Sequence, residues 1–327
     1  MRDYFIRRII LIFPTFLGIT LLVFVITRLV PGGPIEKLII ESTMKSVEGQ
    51  IGSITSGSMY AGGVLSEEQI AHLKEYYGFD KPILVSYFLW LKKILVFDFG
   101  YSLRYGEPVW DTIKSKLPIS IFFGIATVIL TYLICIPLGI IKALKHQKLF
   151  DNISSILVFT GYAIPSYVVA IFLLVIFAAH LELFPMGGFV SDNFENLSFV
   201  GKIIDLLQHT TLPLIAYLAG SFALMTVLMK NSLMENLSQD YMKTAMAKGL
   251  SFKAAVLKHA LKNSLIPIAT HFGNNISLLI TGSFLIEKIF NINGFGLLGF
   301  ESVVERDYPV VMGILVISSL LQLVGNI

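Results

Sequence analysis

Charged residues and cysteine are scarce in this chain. Only 14% of its 327 residues are Asp, Glu, Lys or Arg, and 55% are hydrophobic, whereas about a quarter of the residues in a soluble domain are charged. This balance excludes a large soluble globular protein. The single cysteine, Cys135, lies within an apolar run, which excludes an internal disulfide and a thiolate metal cluster.

Motifs of nucleotide and catalytic chemistry are missing as well. The sequence has no G-x-x-x-x-G-K-[S/T] phosphate loop, so the chain does not bind ATP in that way. It has no H-E-x-x-H or G-x-S-x-G motif, and its 6 histidines are scattered. We therefore predict no catalytic, cofactor-binding or metal-binding residues in this chain.

Long apolar runs predict an all-α polytopic membrane protein, because a helix needs about 20 apolar residues to cross a bilayer. The first run follows arginines, as a signal peptide does, but it is longer than a signal core and no cleavage site follows, so we interpret it as a retained helix. Charges bound six spans: between Arg8 and Arg28, 117–141, 152–179, about 208–229, between Lys262 and Glu287, and from near Tyr308 to Ile327.

The distribution of lysine and arginine predicts the orientation of these spans. Basic residues predominate at the N-terminus and in the second-to-third and fourth-to-fifth connections, whereas the other connections are acidic or balanced. The N-terminus is therefore predicted to be cytosolic. The sixth span reaches Ile327 without a closing charge, so we expect a further C-terminal piece.

Ionisable side chains are rare within the spans. An ion-coupled carrier usually needs buried carboxylates, because a mobile ion requires a countercharge in the apolar core. The scarcity argues against ion-driven transport and favours an external source of energy. An ion-coupled secondary carrier and a non-transport membrane scaffold or intramembrane enzyme remain the alternative classes.

Polar residues without charge do occur inside the third and fifth spans. Such groups can line a watery path or join helices through hydrogen bonds, and helix joining is the simpler interpretation for most of them. Our candidates for a translocation path are Thr160, Tyr162, Ser166, Asn274, Asn275, Thr281 and, at the end of the fifth span, Glu287.

The first external loop, 31–116, is too long for a simple turn. Its Gly- and Ser-rich part, 51–63, is predicted to be flexible. Ser66 and Gln69 form a capping box that predicts an amphipathic helix as far as Tyr77, and a second amphipathic pattern runs over 82–97. Both helices are predicted to lie at the outer membrane surface, with a packed cap over the spans as the alternative.

The connection between the fourth and fifth spans, 231–264, carries the strongest signal. Asp240 is predicted to cap a helix from Tyr241 to Lys248, Gly249 to end it, and Ser251 to cap a second helix. One interpretation is a solvated connection that is basic merely because it is cytosolic. The small residues Ala245 and Ala247 favour a surface that docks another protein.

This connection resembles that of the permease subunits of ATP-binding-cassette importers for peptides. The family pattern E-A-A-x-x-x-G falls on the residues from Lys243 to Gly249, and the peptide branch reads close to T-A-R-A-K-G-L-S, where Thr244–Ser251 reads TAMAKGLS. The run from Lys258 to Leu261 (KHAL) is similar to R-H-A-L. Two departures are Lys243 at the position of the leading Glu and Lys262 where many members have proline.

The resemblance covers nearly the whole chain. The run from Arg28 to Pro34 (RLVPGGP) is similar to the family's R-L-x-P-G-x-P, and 97–102 (FDFGYS), 282–287 (GSFLIE) and 306–309 (RDYP) also match. The runs 161–165 (GYAIP) and 296–301 (GLLGFE) look most like the Yej-type branch. Members of that branch import oligopeptides and the peptide-nucleotide antibiotic microcin C.

The resemblance implies a type I importer permease fold in a bacterial inner membrane. It divides the chain into 1–30 (N-terminal end and first span), 31–116 (external loop) and 117–327 (five-helix core). Its partners would be a second homologous permease subunit, a cytosolic ATPase that binds ATP and Mg, an extracytoplasmic peptide-binding protein and the peptide, with no nucleic acid and no cofactor in this chain.

The resemblance also implies two sets of docking residues. Coupling to the ATPase would use Asp240, Tyr241, Lys243, Thr244, Ala245, Ala247, Lys248, Gly249, Leu250 and Ser251. The external stretch from Ser66 to Trp110 would receive the binding protein, with the candidate residues Glu67, Tyr76, Trp90, Arg104 and Trp110.

Overall fold

A backbone in an apolar surrounding must satisfy its polar groups within its own segment, which favours helices. The computed structural model describes residues 2–29, 81–280 and 282–325, and the regular elements of this part are helical. In chain order the α-helices are α1 (Arg2–Leu29), α2 (Ile83–Ile94), α3 (Val109–Leu144), α4 (Leu149–Ala163), α5 (Ser166–Leu173), α6 (Phe199–Ser238), α7 (Asp240–Ala247), α8 (Phe252–Ala255), α9 (Leu261–Ile280), α10 (Phe284–Ile289), α11 (Phe295–Val304) and α12 (Tyr308–Gly325). A π-helical turn, Val256–Ala260, joins α8 to α9.

Several of these helices are long and apolar enough to cross a membrane. Within the described residues they are Ile6–Ile26 of α1, α3, α6 and α12, and the bent pair formed by α4 and α5 makes a fifth if it counts as one span. The predicted all-α membrane protein is thereby confirmed. The predicted fifth span corresponds to α9, which is not in this group because polar residues such as Lys262, Asn263 and His271 lower its hydropathy.

The predicted third span is divided into two helices. α4 ends at Ala163, and α5, which a π-helical turn extends to His180, begins at Ser166 with a bend of 94° between the two. Pro165 causes the break, since proline lacks an N–H and forces the preceding residue out of the helical region. Ile164 accordingly has φ −89° and ψ 122°.

One compact unit comprises the described residues of 1–115 together with 299–320. Within it, α2 lies at the second predicted amphipathic pattern and packs on α1, where Tyr87 Oη lies 2.9 Å from Thr20 Oγ1. At Gly313, α12 approaches the start of α3 so closely that an added Cβ would lie 2.9 Å from Val109. The predicted flexible part, 51–63, and the first amphipathic pattern, Ser66–Tyr77, lie outside the described residues.

The other compact unit comprises 116–298 and 321–327. Two apolar clusters lie inside it. The first gathers buried residues of α3, α5, α6 and α10, including Phe123, Ala170, Tyr217 and Ile286. The second, which we call the lower cluster, gathers Ala143, Met229, Leu233, Met242, Ala245, Ala255, Val256, Ala260 and Ile268.

Candidate functional site

The connection between α6 and α9 folds into two short helices separated by a left-handed residue. α7 ends at Ala247, and Gly249 follows with φ +91°, a conformation that glycine adopts without steric cost. Ser251 Oγ accepts a hydrogen bond from the Ala254 N–H at 3.3 Å and so caps α8. The predicted terminating glycine and the predicted second cap are both confirmed.

The predicted cap of α7 is wrong by one position. The helix begins at Asp240, and the preceding Gln239 is the cap without a side-chain hydrogen bond. The Asp240 carboxylate instead pairs with Lys243 Nζ at 2.8 Å, one helical turn later. A carboxylate in the first turn is still favourable, because it faces the positive end of the helix dipole.

One face of α7 is buried against the long helix α6. Met242 and Ala245 belong to the lower cluster together with Met229 and Leu233 of α6. Ala245 is only 8% exposed, so its predicted place on an open docking surface is wrong: its small side chain lets α7 approach α6. Tyr241 is half-buried and donates its hydroxyl to Asn236 Oδ1 at 2.6 Å.

The opposite face of this connection is open, and we call it the coupling face. Its exposed apolar residues are Met246, Phe252 and Leu257, which are 40%, 52% and 58% exposed. Exposed apolar residues with polar residues near them in the chain, here called the rim, suit a surface that binds a protein. The rim consists of exposed polar and small residues, namely Lys243, Thr244, Ala247, Lys248, Gly249, Ser251, Lys253 and Lys258, with Leu250 half-buried beside them.

The path candidates of the third span lie on both sides of its bend. Thr160 and Tyr162 are exposed near the end of α4, and Ser166 is half-buried at the start of α5. The structure therefore brings these three residues to the same break in the chain. Asn274 and Asn275 belong to α9, but their side chains and Thr281 lie outside the described part.

Glu287, a candidate for the translocation path, lies in an enclosed site after the end of α9. Its side chain is 1% exposed, not open at the end of a span. Its carboxylate accepts hydrogen bonds from the Leu297 N–H at 2.6 Å and from Ser120 Oγ and Tyr217 Oη at 3.4 Å each. Glu287 therefore ties the segment after α9 to α3 and α6.

The chain leaves room for this carboxylate by placing glycines around it. A Cβ on Gly294 would lie 2.7 Å from the carboxyl group of Glu287, and one on Gly282 would collide with it. Glu287 lies in α10, outside the helices able to cross a membrane. Burial raises its pKa to about 7, because an apolar surrounding disfavours the charged form.

The raised pKa of Glu287 predicts a pH-dependent stability. Between about pH 4.5 and 7 the folded chain binds this proton and the unfolded chain does not, so stability falls as pH rises through this window. In the wild-type protein this titration changes the free energy of unfolding by roughly 3 kcal/mol across the window. We expect Glu287→Gln, which stays neutral, to abolish that change. Melting temperatures of the purified protein between about pH 5 and pH 8 test this. Exposed Glu235→Gln is the control, and an unchanged slope in Glu287→Gln would contradict the assignment.

The described candidates for docking a binding protein lie in the first unit. Trp90 of α2 is half-buried and packs on Phe24, with ring centroids 5.3 Å apart. Trp110 of α3 packs on Phe97 at 4.9 Å. Arg104 is exposed and pairs with Glu301 at 2.8 Å and Glu305 at 2.9 Å. Glu67 and Tyr76 lie outside the described residues.

Sequence reasoning missed one group of buried charges. Lys142, Asp151 and Lys230 appear in the sequence as charges that border spans, which usually face water. The structure brings them together, with Lys142 and Asp151 only 1% and 2% exposed. Their positions at the ends of apolar runs were the available signal, but spacing along the chain does not reveal burial.

Comparisons with known proteins find that the chain is similar to membrane components of transport systems. Residues 135–327 match the family model described as "Binding-protein-dependent transport system inner membrane component". The chain is 41% identical to the inner membrane ABC transporter permease protein YejB of Escherichia coli O157:H7, covering 100% of this chain and 95% of that protein. It is 40% identical to the peptidoglycan transport system permease protein YejB of Agrobacterium fabrum (99% and 94% covered) and 33% identical to the dipeptide transport system permease protein DppB of Bacillus subtilis (99% and 93% covered).

Proposed function

The chain belongs to the family of binding-protein-dependent transport system inner membrane components, and from this premise we propose that it forms half of the translocation pathway of an ATP-binding-cassette importer for oligopeptides. The observation that carries this proposal is the coupling face on the connection between α6 and α9. A membrane subunit that exposes apolar residues among basic ones there has a surface suited to an ATPase. The chain itself would hydrolyse no ATP, since ATP and Mg would be bound by the partner.

Transport would begin when the ATPase displaces α7. In this mechanism α7 and Gly249 sit in a groove of the ATPase, and closure of the ATPase domains around ATP displaces them. The packing of Met242 and Ala245 on Met229 and Leu233 supports a direct transfer of this displacement to α6. To shift a two-state gate from about 1:99 to 99:1, a ligand must bind the favoured state about 5.5 kcal/mol more tightly than the other state. The contacts between α7 and α6 must therefore be rigid enough to transmit this energy.

The topology that suits this mechanism has six membrane spans and a cytosolic N-terminus. α9 would be the fifth span despite its polar residues, because a helix beside a watery path need not be apolar on every side. The bent pair of α4 and α5 would be the third. Thr160, Tyr162 and Ser166 would then line the pathway at the bend, and Asn274, Asn275 and Thr281 would line it from the fifth span.

The extracytoplasmic side would receive a peptide-loaded binding protein. Arg104, with its exposed ion pairs to Glu301 and Glu305, supports a polar docking point, with Trp90, Trp110, Glu67 and Tyr76 as further contacts. A second homologous permease subunit would complete the pathway. The names of the dipeptide and oligopeptide permeases support peptides as the substrate class. The name of the Agrobacterium fabrum relative adds peptidoglycan as a candidate, and the resemblance to the Yej-type branch adds microcin C.

Reconstitution tests the proposed function directly. The complete assembly of both permease subunits, ATPase and binding protein in liposomes should accumulate a labelled oligopeptide only when ATP and the binding protein are both present. A peptidoglycan-derived peptide and an unrelated sugar provide parallel substrates. Accumulation by this chain alone, driven by an ion gradient, would establish the secondary carrier instead. Binding of partners without any accumulation would indicate a scaffold.

A further inference from the structure

A cluster of buried charges joins α3, α4 and α6. Asp151, in the first turn of α4, accepts hydrogen bonds from Lys230 Nζ of α6 at 2.8 and 2.7 Å. Lys142 Nζ of α3 lies 3.1 Å from Oδ1 of the same carboxylate. Three helices therefore meet at one side chain, which is almost fully withdrawn from solvent.

Additional hydrogen bonds complete the cluster. Lys142 Nζ also donates to the Asp151 carbonyl and to Ser154 and Ser155 Oγ, at 2.7–3.0 Å. The Gln147 N–H donates to Asp151 Oδ2 at 3.1 Å, and His146 Nδ1 lies 3.3 Å from that oxygen. Because a buried charge that loses its partner is strongly unfavourable, such a network resists being pulled apart and fixes the relative position of its helices.

The cluster attaches the first turn of α4 to both α3 and α6. Among the 15 residues of this helix, Asp151 and Val158 are the buried ones. The helix also packs along α6, and Asp151 is its buried charged contact with both neighbours. Movement at Asp151 would therefore move α4 as a unit, and α4 leads directly to the bend at Pro165 and to Thr160, Tyr162 and Ser166.

The same turns of α3 and α6 also contact the connection that carries the coupling face. Ala143 follows Lys142, and Met229 precedes Lys230, and both of these apolar residues belong to the lower cluster with Met242 and Ala245 of α7. A displacement of α7 thus reaches the residues that flank the charges. The buried charges, which adjoin Ala143 and Met229 in the chain, are the next residues that this displacement would reach.

We propose that Asp151, Lys142 and Lys230 are positioning residues that transmit the displacement of α7 to the bent pair of α4 and α5. This inference rests on the proposed function. In this role the cluster makes no contact with ATP or peptide. It makes the opening of the path depend on the movement of α7, and its loss should separate ATP hydrolysis from transport.

The experiment compares ATP hydrolysis with peptide uptake in the complete reconstituted importer. In Asp151→Asn and Lys230→Met we expect hydrolysis within about twofold of wild type and uptake lowered by about tenfold or more, the change that one lost charged contact produces. Lys230→Arg, which keeps the charge and can still pair with Asp151, should restore most of the uptake. Lys148→Met, an exposed lysine near Asp151, is the matched control and should behave as wild type.

The outcomes separate this inference from the proposed function. Absence of binding-protein-dependent uptake by the wild-type assembly would contradict the proposed function itself. Normal uptake in Asp151→Asn, or hydrolysis and uptake that fall together in a correctly assembled complex, would overturn the positioning role. If a single variant does not assemble, the triple variant Asp151→Asn with Lys142→Met and Lys230→Met removes all three charges together, and the same ratio of uptake to hydrolysis decides.

Discussion

Replacing Gly249 with tryptophan is expected to leave the subunit inserted and folded while lowering ATP-driven peptide uptake by about tenfold or more. Among the described residues, apart from Gly249 and its two neighbours, no heavy atom lies within 4 Å of a Cβ added at Gly249, so a side chain can leave this turn into open space. The obstruction would come from the ATPase, whose groove would no longer admit the turn after α7. ATPase bound per subunit and uptake by the reconstituted importer are the two measurements.

Gly249→Ala distinguishes an effect of side-chain volume from an effect of backbone strain. Any L-residue at φ +91° costs about 1–2 kcal/mol, and alanine adds this cost with little volume. We expect uptake by Gly249→Ala to remain within about threefold of wild type. Equal losses in the two variants would assign the effect to strain in the turn, and normal uptake by Gly249→Trp would refute the coupling role of this connection.

The second large effect is expected at Phe252, an exposed aromatic residue of the coupling face. Phe252→Asp places a charge where an apolar contact is needed, and one central aromatic often contributes about 2 kcal/mol or more to a protein interface. Affinity for the ATPase should therefore fall by about thirtyfold. Because Phe252 is about half exposed and follows the cap Ser251, the fold of the subunit should tolerate the change.

Phe199→Asp is the matched control for this prediction. Phe199 is 79% exposed in the first turn of α6, where an aspartate suits the helix dipole, and in the proposed topology it lies on the other side of the membrane. Binding of the purified ATPase to each variant in detergent gives the comparison. A similar affinity for Phe252→Asp and wild type would show that the coupling face is not the ATPase contact.

The local features of the candidate site were predictable because they depend on neighbours in the chain. A left-handed glycine after α7 and a serine that caps the next helix involve groups within a few residues of each other, and both predictions are confirmed. The predicted cap of α7 is wrong, although it also depends only on residues close in the chain. The Asp240 carboxylate forms an ion pair with Lys243 instead of capping the helix. Because α6 extends to Ser238, Gln239 alone separates α6 from α7.

Burial was the property that sequence reasoning misjudged. Ala245 was predicted to contribute to a docking surface and Glu287 to line a path, yet both are buried. Each is buried by residues far away in the chain: Ala245 packs in the lower cluster with α6, and Glu287 accepts hydrogen bonds from Ser120 and Tyr217. Spacing within one helix cannot identify such partners.

The amino-acid sequence by itself determined that this is a helical membrane protein, where its apolar runs lie, and which connection ends in a glycine turn, because hydropathy, proline and caps act over a few residues. Only the tertiary structure decided that Asp151 joins three helices, that Glu287 is enclosed, and which side of α7 is open. These properties arise where distant segments meet, since a buried charge depends on the donors that other helices bring to it.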